Sequence, residues 1–501
     1  MEKRIILGID IGTSSVKCSI VKIFINNDNN KRNERSIIET ISYEILSSSK
    51  CSYDQIRIQN ATKVGYSQQN VYEIVLCFQR ALEQLQNLQN IQAITFSCQM
   101  HGIILWNSKN IFNINSKDQF LNYDSISDLY DWTDSRCTSD FLETLPLPNS
   151  YLDQLSSGYG CVTLFWLKHF EPEILEKFDC SSTIGDFFIW ILCNSSTSIS
   201  NKTFISTHNA HSWGYFDPIT SFWNKDLLKK NNFPVDLLPE VVQPGSVVGK
   251  KLNLYFNKIP NNIKIFICIG DLQAILFCAI QKVSTVSLIL NMGTSSQLCR
   301  IVKENNSSFI PPKKSSNQCL TVDFDPFYEG CFIVKAASLN GGNVLQSYMN
   351  FLINISSEIT GKIIDPKDIW LKIEDLFLKE NNINTPESDL EIKSTLFGER
   401  HSPESGLTLK IYKRFPNLFE MTKQLCEGLI KNLINMMKIF DKKESYLINE
   451  NIVCTGSVIV NTNIMKNILQ KYFQNTTFIV DCDAEVGSVL FAQCFCKQKN
   501  L

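Results

Sequence analysis

The stretch Ile5-Ile6-Leu7-Gly8-Ile9-Asp10-Ile11-Gly12-Thr13-Ser14-Ser15-Val16 decides how the whole chain is read. An apolar strand ends in an aspartate, a glycine–hydroxyl turn follows, and a second apolar strand starts at Val16. An aspartate at a strand end can hold Mg²⁺ through water. The N–H groups and hydroxyls of Gly12, Thr13 and Ser14 can at the same time cradle phosphate oxygens. Taken alone, an ordinary Gly-Thr hairpin with a satisfied aspartate would read the same way. The arrangement recurs, however, where Val286-Ser287-Leu288-Ile289-Leu290-Asn291 runs into Met292-Gly293-Thr294-Ser295-Ser296. Two phosphate-cradling turns in one chain suggest two facing domains with a nucleotide between them.

Length agrees, since 501 residues exceed what one core usually holds. The turn-rich Pro239-Glu240-Val241-Val242-Gln243-Pro244-Gly245-Ser246 is the expected boundary, giving domains 1–244 and 245–501. A hydrophobic content of 44% with 20% charged residues describes a soluble globular protein. A net charge of −2 leaves no basic footprint for nucleic acid or an anionic membrane. The apolar run Phe187–Cys193 is far short of the ~18 residues of a membrane span and reads as buried helix. The N-terminus enters a strand with no signal-peptide core, so a cytoplasmic location is expected. The eighteen cysteines fall in apolar stretches such as those around Cys98, Cys268, Cys278 and Cys454, without a Cys-x-x-Cys pair. They read as reduced thiols. His208 and His211 read as ordinary loop histidines, because no third metal ligand follows at useful spacing.

Along the chain, residues 26–60 read as a polar surface loop with outer strands, and Val71 to Leu88 carries helical spacing. Ile91 to Phe96 is a short buried strand ending at Ser97-Cys98-Gln99-Met100-His101-Gly102, where open α/β sheets place ligands. Past the boundary, a strand from Ile263 to Ile269 ends in Gly270-Asp271 before a helix through Ile280. Pro311 and Pro312 mark a loop. Asp365-Pro366 opens an amphipathic helix, Leu425 to Met437 forms another, and Ile452 to Thr455 is a last strand running into Gly456-Ser457. Asp271 suits a base that takes a proton from a hydroxyl, and it suits a helix N-cap equally well. Trp132 is as good a core anchor as a stacking face for a sugar.

In order along the chain, Asp10-Ile11-Gly12-Thr13-Ser14-Ser15, Gln99-Met100-His101-Gly102, Trp132-Thr133-Asp134-Ser135-Arg136, Gly270-Asp271-Leu272-Gln273-Ala274, Gly293-Thr294-Ser295 and Gly456-Ser457 resemble the FGGY family of carbohydrate kinases. The resemblance covers nearly the whole chain. It implies an α/β, two-domain actin/hexokinase/heat-shock-70-like (ribonuclease-H-like) fold with a catalytic cleft between the domains. It also implies Asp271 as catalytic base and Mg-ATP as cofactor, with Asp10 and Asp271 at the metal. Asp10, Gly12, Thr13, Ser14, Gly293, Thr294, Ser295, Gly341, Gly342, Asn343, Gly456, Ser457 and Asn461 are then the nucleotide contacts. Ser457 departs from the family's usual Gly-Gly pair, which is expected to alter detail and not binding. Gln99, Met100, His101, Asp134, Arg136, Asp271 and Gln273 become the sugar contacts.

Longer strings point to the ketose kinases of the family: Gly160–Leu167, Ser212–Phe216, Ala336–Asn343 and Gly398-Glu399-Arg400-His401. They imply transfer of the γ-phosphoryl group to the terminal hydroxyl of sedoheptulose in pentose phosphate metabolism. Xylulose or another short ketose is the alternative. No first-principles role emerges for Gly398–His401, which reads as a structural turn with an internal ion pair. An actin-like or heat-shock-70-like ATPase, or a sugar sensor, are the readings from other classes. The first is disfavoured because the chain leaves no room for a peptide-binding domain, the second by an intact Asp271. Whether the chain is a monomer or a homodimer is left open.

Overall fold

In the computed structural model the described residues are 2–25, 40–53, 56, 65–113, 120–149, 155–252, 256–283, 286, 288–303, 321–328, 330–380, 390–402, 404–438, 451–473, 475–479 and 482–496. The loop expected around Pro311 and Pro312 lies outside them, as does 26–39 of the polar stretch. Two compact units divide the chain: Met1–Ser284 with Asp325–Glu329 and Asp483–Leu501, and Thr285–Phe324 with Gly330–Cys482.

The first unit is built on a mixed sheet in the order Val247–Lys250, Lys264–Phe266, Ala93–Cys98, Glu2–Ile11, Ser15–Ile25, Ser42–Ser52, with Ile269–Gly270 also on Ala93–Cys98. The opening hairpin is antiparallel, while Ala93–Cys98 runs parallel to the first strand with Ile11 opposite Cys98. Alternation along the first strand separates two faces. Leu7, Ile9 and Ile11 join the apolar cluster that contains Val75 and Phe78 of the helix Val71–Gln84 and Phe187 and Phe188 of the helix Ile184–Cys193. Gly8 faces the other way, toward the helix Ala484–Phe495. A methyl group there would lie 2.2 Å from the Glu485 carbonyl oxygen, so only glycine admits this approach. Asp10 shares the face of Gly8.

The division falls at 284–285 and not at 244–245. Glu240–Val242 pairs with Phe204–Ser206, and Val247–Lys250 with Lys264–Phe266. The turn residues around Pro244 therefore join strands within one unit. The helix from Val71 ends at Gln84, short of Leu88, because Leu85 turns to extended backbone (φ −79°, ψ 144°), and a left-handed Asn87 then starts the short turn Leu88–Asn90. Phe187–Cys193 is buried helix as read, and among the described residues no helix is long and apolar enough to cross a membrane.

The second unit repeats the scheme. Leu288–Met292 and Ser296–Lys303 form an antiparallel hairpin, Cys331–Ser338 adds on one side, and Asn451–Thr455 runs parallel on the other, followed by Asn475–Phe478. Met292 pairs with Ser296, Ser296 with Ser338, and Asn291 with Thr455, so three chain reversals share one sheet end. The helix expected from Leu425 begins earlier, at Leu418, behind a capping box in which Asn417 and Glu420 bond each other's backbone.

Candidate active site

In the first unit, strand register brings the candidate residues together. Ile11 lies opposite Cys98, and Gly270 opposite Cys98 on the other side, so three parallel strands end together. Asp10, Gln99 and Asp271 sit at those ends, where a parallel sheet offers its ligand crevice. Asp10 is buried and accepts a hydrogen bond from Ser97 Oγ at 2.9 Å. Burial, then the charges of Asp271 and Glu485, push its pKa well above the usual carboxylate range, against the pull of Lys17 and Ser97. Glu485 is itself raised by burial. One of its oxygens accepts from Ser19 at 3.1 Å, and the other has no partner among the described residues. The sequence offered no signal for Glu485, which arrives from the far end of the chain.

This concentration of negative charge fits a cation. No group of three or more His, Cys, Asp or Glu among the described residues could cage a metal alone. Mg²⁺ suits such a place, since it keeps most of its water and takes one or two carboxylates with substrate phosphates.

The turn after Asp10 is tight, with Gly12 N–H donating to the Ser15 carbonyl at 3.0 Å. Tyr53 braces it, donating its hydroxyl to the Gly12 carbonyl at 3.2 Å and its N–H to that of Ser14 at 3.1 Å. A closed ring of bonds then links this turn to Gln99. Thr13 Oγ1 donates to Gln99 Oε1 (3.3 Å), Gln99 Nε2 to Gln69 Oε1 (2.9 Å), and Gln69 Nε2 to the Thr13 carbonyl (3.2 Å). Gln69, fully buried, is a member that sequence reasoning missed.

Asp271 is the first residue of the helix Asp271–Lys282, and the N-cap position belongs to Gly270. Its Oδ1 accepts from Leu272 N–H at 2.8 Å. Asp271 therefore stands one residue inside the cap position while its carboxylate still satisfies a first-turn N–H of the helix. Gln273 is fully buried, yet neither end of its carboxamide has a hydrogen-bond partner among the described residues. It lies next to Met100, since a methyl group on Gly270 would meet Gln273 Oε1 at 2.2 Å and Met100 Sδ at 2.7 Å. A buried amide left unpaired costs on the order of 1–3 kcal/mol per group, which sets Gln273 apart from the satisfied polar groups around it. His101 adopts φ 73° and stacks on Tyr159 at 4.6 Å, with Nδ1 2.9 Å from the Ser212 carbonyl. Nδ1 must carry the proton to make that bond, which leaves Nε2 an acceptor in the neutral ring.

Asp134 and Arg136, expected as sugar contacts, form a buried pair. Arg136 Nε and Nη2 donate to the two Asp134 oxygens at 2.9 Å each, and Ser67 N–H adds a bond at 2.8 Å. The guanidinium lies over Tyr66, Tyr130 and Trp166 at 4.1, 4.6 and 5.2 Å. With their side chains 1% and 2% exposed, the two groups satisfy each other. They hold the loop that carries Trp132. His208 and His211 are likewise not loop residues: they lie in the short buried helix Thr207–His211, and burial holds His208 down to about 4.

In the second unit the three reversals interlock. Gly293 N–H donates to the Ser295 carbonyl, Gly342 N–H to that of Gly293 (2.8 Å) and Asn343 N–H to that of Thr294 (3.1 Å). Asn343 Oδ1 accepts from Gly341 and Val344 N–H at 2.9 and 2.8 Å. Gly456 takes φ 103° with the Met292 carbonyl 2.3 Å from where a Cβ would stand, so glycine is required here. Ser457 is exposed at the start of the short helix Ser457–Asn461. Asn461 ends that helix, exposed.

Comparison with known proteins agrees with this geometry. The N-terminal domain of the FGGY family of carbohydrate kinases matches residues 5–278, nearly all of the long first segment of the first unit. The chain is 30% identical to mouse sedoheptulokinase over 498 residues, covering 97% of each chain, and 29% identical to the human protein over 493 residues. Xylulose kinase of Bacillus subtilis is 23% identical over 261 residues, half of this chain. Among solved structures, xylulose kinase from Lactobacillus acidophilus superposes with a TM-score of 0.70 at 19% identity, covering 99% of this chain and 90% of that one. Plasmodium falciparum glycerol kinase with ADP gives 0.69 at 17%, covering 98% and 88%. These likenesses show the two-domain actin/hexokinase-like fold. With a family match over more than half its length and relatives matched end to end, the chain belongs to the FGGY family of carbohydrate kinases and is an ATP-dependent sugar kinase.

Proposed function

We propose that the chain transfers the γ-phosphoryl group of Mg-ATP to the terminal C7 hydroxyl of sedoheptulose, giving sedoheptulose 7-phosphate. The observation that carries this reading is Asp271 at a strand end beside the buried, unpaired carboxamide of Gln273. In the transfer, Asp271 accepts the hydroxyl proton as the sugar oxygen bonds to the γ-phosphorus. The bond from that phosphorus to the β–γ bridging oxygen breaks, and ADP leaves with the electron pair. Gln273, Gln99, Met100 and His101 line the sugar, and Asp134 with Arg136 serve it through the loop they hold. Gly12, Thr13 and Ser14 with Gly293, Thr294 and Ser295 take phosphate oxygens. Gly341, Gly342, Asn343, Gly456, Ser457 and Asn461 take the nucleoside. Mg²⁺, held by Asp10 and Asp271, would supply neutralisation of phosphate charge.

The sugar rests on likeness along the full chain to proteins named sedoheptulokinase, against likeness along half of it to xylulose kinases. A site built for the added hydroxyls of a heptulose penalises a pentulose by about 1–3 kcal/mol for each polar group left unpaired. Steady-state kinetics on sedoheptulose, xylulose, ribulose and glycerol, with NMR of the product, test the reading. The kcat/KM should favour sedoheptulose at least tenfold, with phosphate on C7. A preference for xylulose would overturn the choice of sugar.

A further inference from the structure

We propose that Glu399, in the Gly398–His401 turn that the sequence left without a role, is the positioning residue of the nucleotide loop Ser338–Asn343. The inference rests on the reading of Gly341-Gly342-Asn343 as a nucleotide contact. Glu399 is 2% exposed, and its two oxygens gather donors from the whole base of that loop. Oε1 accepts from Ser338 Oγ (2.6 Å), Asn340 Nδ2 (3.0 Å) and Asn432 Nδ2 (2.7 Å), and Oε2 accepts from Leu339 N–H (3.2 Å). Only a carboxylate presents acceptors at both positions.

Asn340, fully buried, completes the anchor. Its Nδ2 also donates to the Gly398 carbonyl at 2.8 Å, its Oδ1 accepts from Phe397 N–H at 2.9 Å, and its own carbonyl accepts from Ser296 Oγ at 2.6 Å. The loop base is therefore held by groups from the 397–399 turn, the helix Leu418–Met437 and the hairpin strand Ser296–Lys303. Beyond that base, Gly342 and Asn343 donate to the carbonyls of Gly293 and Thr294, so the same carboxylate sets the Gly293–Ser295 turn at one remove. Glu399 touches no reacting atom in this account. It fixes where two phosphate- and nucleoside-facing backbones stand.

Glu399→Gln keeps the volume but sets an amide N–H₂ against either Leu339 N–H or the three donors on Oε1. The full-length variant should show KM for ATP raised about tenfold or more, KM for the sugar within twofold of wild type, and one unfolding transition. A purely structural role would instead move both KM values together. An unchanged ATP KM in a folded variant overturns the inference, as does an equal rise in both. If Glu399→Gln does not fold, Asn432→Ala removes one donor and decides. A rise of about two- to fivefold in ATP KM alone supports the anchor, and no change overturns it. Amide exchange of the wild-type protein tests the reading beneath: ADP should slow exchange over 338–344. Exchange that ADP leaves unaltered removes the nucleotide-loop reading itself. Slowed exchange with a normal ATP KM in Glu399→Gln removes the anchor alone.

Discussion

Trp132 donates its indole N–H to Thr13 Oγ1 at 2.9 Å, joining two residues 119 positions apart. Thr13 in turn donates to Gln99, so the loop clamped by Asp134 and Arg136 is tied to the Gly12–Ser14 turn and to the Gln99–Gly102 segment by one hydroxyl. Neither the core-anchor nor the sugar-stacking alternative for Trp132 anticipated this.

Trp132→Phe preserves the ring and removes the donor. A hydrogen bond of this kind contributes about 0.5–1.5 kcal/mol, so kcat/KM should fall roughly 3- to 10-fold with little change in melting temperature. Wild-type kinetics in a folded Trp132→Phe protein would show that the bond does not set the turn.

Asp271→Asn retains an oxygen for Leu272 N–H and removes the base. Turnover should drop by about 10²–10⁴ while substrate binding and melting persist. Near-normal turnover, measured by ADP release with sugar present, would remove Asp271 from the mechanism.

The pH dependence of stability separates two buried groups. Burial pushes Asp186 up to about 8 despite the hydrogen bonds of Thr183 and Asn209, so the folded state holds a proton that the unfolded chain releases near 4. Its contribution is present at low pH and is lost as pH rises from about 4 through about 8. His208, held to about 4 by burial, works oppositely: its contribution is present above about 6.5 and lost as pH falls toward 4. Between pH 6.5 and 8 only Asp186 of this pair acts. Urea titrations there should show wild type losing stability with rising pH and Asp186→Asn losing less. Parallel slopes would contradict the assignment.

All cysteines among the described residues are free thiols. Denatured without reductant, the protein should titrate eighteen thiols. Cys51 Sγ and Cys77 Sγ lie 2.9 Å apart, and Cys51 is partly exposed, so diamide should oxidise this pair first. Peptide mapping would find the Cys51–Cys77 link, and Cys51→Ser would abolish it. A different first pair would show that access outweighs proximity.

The sequence by itself determined what is local. Apolar runs closed by Asp10, Asn291 and Thr455, the Gly-Thr-Ser turns, and the helix leaving Gly270-Asp271 are short-range patterns of period and turn chemistry, and they mark the strand ends where the candidate site residues lie. What tertiary structure decided is long-range. Glu485 reaches Asp10 only because Gly8 lets the last helix close on the first strand, and Gln69 enters the site through a ring of bonds. Asp134 and Arg136 carry the right chemistry for a sugar, but packing under Tyr66, Tyr130 and Trp166 makes them each other's partners. Glu399 shows no sign of its role in Gly-Glu-Arg-His, because its four donors come from residues 338–340 and 432. A residue's type states which bonds it can make. The fold, by deciding burial and neighbours, states which of them it makes.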